Sequence, residues 1–170
     1  MIKKSLMAIF VSALFINICA AQLSNAQSIA NWGKSTNGVQ LSISLTNNIL
    51  AAGSSSSVQY EVENLSTNTI GWGIVDATQG FDVFLTNNSG KIYFLTPQPD
   101  TNSEYESYTY VLYYKMKPGE KYKNSVPISI SNKIKPGNYQ LEAKLHFSIA
   151  EKRPIHKYEL VSNSLEVEIK

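Results

Sequence analysis

The sequence has a single cysteine, Cys19, and it lies in an apolar stretch near the N-terminus. Once that stretch is removed, the chain has neither a disulfide nor a thiol nucleophile. Histidine is also scarce. Only His146 and His156 are present, too few for a structural zinc site without cysteine partners. No serine stands in a Gly-x-Ser-x-Gly elbow. The sequence therefore offers no nucleophile with its base, and predicts a protein that is not an enzyme and needs no metal and no cofactor. An excess of charge of one sign is missing too. Without Lys3 and Lys4 the chain has 13 Lys and Arg against 13 Asp and Glu. Such a balance lacks the attraction to phosphate that nucleic-acid binding requires. No segment after residue 26 carries apolar residues at helical spacing, which excludes an α-helical core.

The front end has the three parts of an export signal. Lys3 and Lys4 give the positive start, Ser5 to Ala21 the mostly apolar middle, and small residues allow cleavage after Ala21 or Ala26. Asn17 interrupts the stretch, which is short for a membrane anchor. Lipoprotein processing needs a small residue before its cysteine, and here Ile18 precedes Cys19. Residues 1–26 are therefore expected to be a cleaved signal and the product periplasmic or extracellular. Membrane contact is then limited to the signal before cleavage. Residues 27–38 are polar and read as a flexible leader, although Trp32 has the means to dock. Residues 39–170 remain as one domain.

From Val39 onward the pattern has a period of two. Val39, Leu41 and Ile43 alternate with Gln40, Ser42 and Ser44. Val58, Tyr60 and Val62 alternate with Gln59, Glu61 and Glu63. Ile70, Trp72 and Ile74 follow, then Phe81, Val83 and Leu85. Val126, Ile128 and Ile130 share one face of a later strand. The clearest strand puts Tyr139, Leu141, Ala143, Leu145 and Phe147 on one side and Gln140, Glu142, Lys144 and His146 on the other. Leu165, Val167 and Ile169 close the chain. Asn64 to Asn68 reads as a polar turn and Asn87-Asn88-Ser89-Gly90 as a hairpin turn. Pro118-Gly119 and Pro136-Gly137 mark two more, where Pro fixes φ and Gly accepts the left-handed position. Half-buried strands must shelter one face, and two sheets packed together do so. The expectation is an all-β sandwich of about eight or nine strands.

Several of these segments occur together in a known setting. Val58 runs into Asn64-Leu65-Ser66; Asn88-Ser89-Gly90 makes a hairpin; Met116-Lys117-Pro118-Gly119-Glu120 forms a turn; and Pro136-Gly137-Asn138-Tyr139 precedes a long alternating strand. This arrangement resembles bacterial immunoglobulin-like domains, and more narrowly the domain of the bacterial intracellular proteinase inhibitor family, over roughly Val39 to Phe147. The resemblance implies an immunoglobulin-like Greek-key sandwich, with Trp72 as the core tryptophan and Tyr139 at a tyrosine corner. It also implies protease inhibition. The chain departs from that family in its export signal, and in having Tyr93, Phe94 and a polar loop where a Trp-rich segment is expected.

Candidate contact residues come from an aromatic band. Tyr105, Tyr108, Tyr110, Tyr113, Tyr114 and Tyr122 fall close together, and the strand expected from Tyr108 to Tyr114 is apolar on both faces. One face fills a core; the other is covered by the chain or meets a partner. The loop from Thr96 to Ser107 adds Asp100, Glu104 and Glu106 without calcium-loop spacing. Tyrosine buries much area at low entropic cost, which suits a protein or glycan partner. The sequence thus predicts an exported, non-catalytic binding or accessory domain using Tyr105, Tyr108, Tyr110, Tyr113, Asp100 and Glu104. The alternatives are a secreted protease inhibitor and a structural subunit of a surface or periplasmic assembly.

Overall fold

The period-two segments form strands in the computed structural model, which describes residues 31–75, 80–97, 111–149 and 157–170; side chains at 72–75, 111–113, 148–149 and 157 lie outside that description. Eleven strands run through the described residues: β1 (Val39–Ser44), β2 (Ile49–Leu50), β3 (Ser55–Asn64), β4 (Ile70–Val75), β5 (Phe81–Asn87), β6 (Ile92–Phe94), β7 (Val111–Met116), β8 (Lys121–Ser129), β9 (Gly137–Ile149), β10 (Lys157–Val161) and β11 (Leu165–Ile169). They make two sheets. One is β1-β3-β8, antiparallel throughout. The other is organised on the 13-residue β9.

Both edges of β9 are shared. Along one, β5 pairs with the first part of β9 and β4 with the last part, with Phe81 opposite Leu145 and Ile74 opposite Phe147. Along the other, β11 and β10 do the same, with Leu165 opposite Leu141 and Leu160 opposite Leu145. Each such pair is one interrupted strand. Counting them so gives nine, which reconciles the eight or nine expected with the eleven found. The chain passes from β3 to β4 and β5 in the other sheet, returns as β8 beside β3, and crosses again to β9 beside β5. That is the Greek-key path of an immunoglobulin-like sandwich, as the sequence predicted.

The inner faces hold the residues that the alternation assigned to them. Val39, Leu41, Val58, Val62, Val83, Leu85, Leu141, Ala143 and Leu145 are fully buried in a single cluster, joined by Leu160 of β10, a strand that the sequence reading did not name. The turns also follow their chemistry. Gly90 has φ +80° and donates to the Asn87 carbonyl at 2.9 Å, closing the β5–β6 hairpin. Gly119 has φ +73° in the turn between β7 and β8. Tyr139 is a tyrosine corner: its hydroxyl donates to the Lys135 carbonyl at 2.8 Å. Removing only that oxygen in Tyr139→Phe is expected to lower stability by about 1 kcal/mol, read as an earlier urea midpoint with an unchanged slope.

Two asparagines depart from the reading of polar residues as turn surface. Asn64 is fully buried and joins two turns. Its Nδ2 donates to the carbonyls of Met116 and Asn68, both at 2.9 Å, and its Oδ1 accepts from Ser66 N at 2.9 Å and Ser66 Oγ at 2.7 Å. Asn163, between β10 and β11, is also buried. Its Oδ1 accepts from Ile43 N at 2.7 Å while its Nδ2 donates to Ile43 O at 3.1 Å, so an amide side chain takes the place of a neighbouring strand on β1.

Candidate functional site

Where sheets end, unpaired backbone groups must be covered or left to another chain. The free side of β1 is covered. Thr36 and Val39 exchange two backbone bonds, Gly33 N donates to Leu41 O at 2.9 Å, and Asn163 takes both groups of Ile43. The bonds from Gly33 and Thr36 come from within the span expected to be leader. A Cβ on Gly33 would stand 1.9 Å from the Val161 carbonyl oxygen, so only glycine fits between β1 and β10. Beside it the half-buried Trp32 ring carries the Lys121 ammonium at 4.9 Å, a cation–π contact.

The free side of β8 is blunted in another way. Ile130 pairs with Ser54, so the odd-numbered residues of β8 point their backbone groups outward. Of these, Pro127 has no N–H, Ser125 N donates to the Asn124 side chain at 2.8 Å, and Ser129 N donates to Leu95 O at 2.9 Å. Lys121 and Lys123 complete the row and bind Glu61 at 3.1 and 2.9 Å. Burial alone would push the Glu61 carboxyl up, and the two ammonium groups hold it below its ordinary 4.5.

Among the described residues β6 has no such protection. Asn87 N donates to Lys91 O and Leu95 N to Val83 O, so residues 91 and 93 and the N–H of Leu95 turn toward β5. By alternation Ile92 and Phe94 turn their N–H and C=O groups away, and no partner meets them among the described residues. Their side chains lie on the outer face of the second sheet and stay 51% and 50% exposed. Phe94 stands beside Phe84, centroids 6.0 Å apart, and Phe84 is 6% exposed although it too faces outward. Next to this apolar edge the face is polar. His146 Nε2 lies 3.1 Å from Asp82 Oδ2, and Lys144 binds Glu159 at 3.2 Å. His146, expected on the outward face, is thus held there by a carboxylate across β5 and β9.

The predicted aromatic band divides. Tyr105, Tyr108, Tyr110, Asp100 and Glu104 lie outside the described residues, as does the side chain of Tyr113; the Tyr113 backbone pairs with Gly73 in the ladder of β4 and β7. The same holds for Trp72, whose backbone stands opposite Tyr114 while its side chain is outside the description. Tyr114 and Tyr122 are described, and they join the two sheets: their rings lie 4.7 Å apart, with Tyr60 6.2 Å from Tyr122. That part of the band is inter-sheet packing. The Tyr60 hydroxyl is buried without a well-formed hydrogen bond. Burial, and after it the neighbouring Tyr122 and Tyr114 hydroxyls, push it well above the ordinary 10.0. The folded state therefore holds this proton after the unfolded chain has released it. The stability linked to it is complete below pH 10 and is lost as pH rises further. Melting curves above pH 10 are expected to fall less steeply for Tyr60→Phe than for the native chain.

The exposed edge at Ile92 and Phe94 was not among the sequence candidates, yet a signal for it exists. Ile92, Tyr93, Phe94 and Leu95 are apolar on both faces, the same anomaly that drew attention to Tyr108–Tyr114.

No family model matches the chain, the proteinase inhibitor family included, and no curated protein matches it. Among solved structures it is similar to the alkylpurine DNA glycosylase AlkC of Pseudomonas fluorescens bound to DNA containing an abasic site analog, at 12% identity and a TM-score of 0.40, covering 80% of this chain and 31% of that one. It is also similar to a CARDB domain from Pyrococcus furiosus in complex with di-metal ions, at 10% identity and a TM-score of 0.38, covering 81% and 93%. A third is the ASH/PapD-like domain of human CEP192, at 13% identity and a TM-score of 0.36, covering 78% and 85%. Similarity this loose transfers no ligand and no activity. The sandwich assignment rests on the strand pairing above.

Proposed function

We propose that this chain is an exported, non-catalytic binding domain that takes an extended segment of a partner protein as an added strand along β6. The carrying observation is the contrast between edges. β1 is covered by bonds from Gly33, Thr36 and Asn163, and β8 carries Pro127, two engaged N–H groups and two lysines, whereas β6, among the described residues, leaves two N–H and two C=O groups beside half-exposed Ile92 and Phe94. Main-chain bonds would supply affinity, and alternate side chains of the guest would pack on Phe94 and Phe84. The glycan-directed and self-assembling readings lack a comparable feature at this edge.

A photo-crosslinking residue at position 94, carried in the full-length chain in its native host, tests the reading. Adducts to a partner protein are expected from position 94 and not from position 127 on the Pro-blunted edge. Equal yields from both would remove the edge from consideration. With the crosslinking residue moved to position 92, Phe94→Ser is expected to abolish capture and to change stability by no more than about 1 kcal/mol, since the ring is half exposed already. Export has its own test. The N-terminus of the mature protein should be Gln22 or Gln27; an intact Met1 in the envelope fraction would contradict it.

A further inference from the structure

We infer that the outer face of the second sheet carries a second contact site, a polar groove built to hold the hydroxyl groups of a carbohydrate. The groove has a volume of about 440 Å³ and lies where three separate connections converge. Asn48 comes from the β1–β2 link, Asn88 from the β5–β6 hairpin and Asn138 from the start of β9. Gln140 on β9 and the carboxylates of Glu166 and Glu168 on β11 add the remaining polar groups, and Ile49, Tyr139 and Val167 make up the rest of the lining.

Strand pairing arranges these groups in rows. Ile49, Glu168 and Asn138 stand opposite one another across β2, β11 and β9. Glu166, Gln140 and Thr86 form the next row across β11, β9 and β5. Neighbours within a row are about 4.8 Å apart and the rows roughly 7 Å apart, a grid on the scale of one or two sugar rings. The chemistry alternates as polyols require. Amides offer donor and acceptor side by side, and carboxylates accept from adjacent hydroxyls. The Ser164 hydroxyl donates to Gln140 Oε1 at 2.7 Å, which fixes that amide and leaves its NH₂ as the free donor. Ile49, 45% exposed, offers an apolar surface to a sugar's C–H face. No lysine is among the lining residues, and the one ammonium nearby, Lys170, pairs with Glu168 at 3.7 Å, so the groove presents no surplus positive charge to an anionic ligand. No residue of β6 lines the groove, but its second row continues through Thr86 to Ile92, so the two sites adjoin on one face and are told apart by their own variants.

The test uses the purified full-length chain and three neutral probes, maltopentaose, cellopentaose and chitopentaose, followed through the side-chain NH₂ resonances of Asn88, Asn138 and Gln140. At least one probe is expected to shift all three, with a Kd of about 1 mM or tighter. Asn138→Ala and Gln140→Ala, both exposed and so compatible with folding, are expected to weaken binding by roughly tenfold each, while Phe94→Ser leaves it unchanged. Resonances unmoved by all three probes at about 10 mM would overturn the proposal. So would binding that survives both alanine variants, or shifts produced by calcium chloride alone and not by the sugars.

Discussion

Asn64→Ala is expected to destabilise the domain by about 3 kcal/mol, a fall in melting temperature of roughly 10 °C. The side chain is fully buried and makes four hydrogen bonds, two given and two received. Alanine leaves the Met116 carbonyl without this donor and Ser66 N without this acceptor, in a place water reaches poorly. Each orphaned group costs about 1–3 kcal/mol. The backbone raises the stakes. Asn64 N also donates to Glu120 O at 3.1 Å, and Gly119 N donates to Asn64 O at 2.7 Å, so one residue fixes the end of β3 to the turn that starts β8. Asn64→Asp should be at least as damaging at neutral pH, because a buried carboxylate would face two carbonyl oxygens. Chemical denaturation of the two variants beside the native chain measures both. A loss under about 1 kcal/mol for alanine would mean that the turns are held by something else.

Leu145→Ala is expected to cost about 3–4 kcal/mol. Leu145 is fully buried at the centre of β9, opposite Phe81 of β5 and Leu160 of β10. Leu145 has a partner strand on both sides, so little can collapse into the space that truncation leaves. The neighbouring Lys144→Ala gives the contrast. Its side chain points outward to Glu159 at a partly exposed pair, and its loss should stay below about 1 kcal/mol. Equal losses at 144 and 145 would contradict the facing of β9 on which the sandwich depends.

The facing of each strand could be read from the sequence because burial imposes a period of two: the residues that the alternation turned inward on β1, β3, β5 and β9 are all buried, and Ser42, Asn64 and Phe84 are buried beyond them. The Pro-Gly turns and the tyrosine corner were legible for a similar reason: proline, glycine and a tyrosine at fixed offset have local geometric consequences. The sharing of β9 was not legible. Whether Phe81 continues the line of Ile74 along one neighbour is a matter of long-range pairing, and residues 74 and 81 carry no mark of it. Asn64 misled for the opposite reason, and Asn163 drew no reading at all. An asparagine in a polar stretch looks like turn surface, and its burial depends on carbonyls and amides that arrive from distant strands.

The candidate site shows the same division. The apolar character of Ile92 to Leu95 was visible, but its exposure followed only from knowing that β6 has a neighbour on one side. The groove amides Asn48, Asn88 and Asn138 lie about 40 to 90 residues apart in the chain, and only the sandwich brings them together.

Amide hydrogen exchange resolved to single residues tests the open edge most directly. In the free protein the account predicts exchange near the unprotected rate at Ile92 and Phe94, with Ile43 and Ser129 slowed by orders of magnitude because Asn163 and Leu95 hold them. Protection at Ile92 and Phe94 comparable to that at Ile43 would show that the edge is already occupied, and would contradict it.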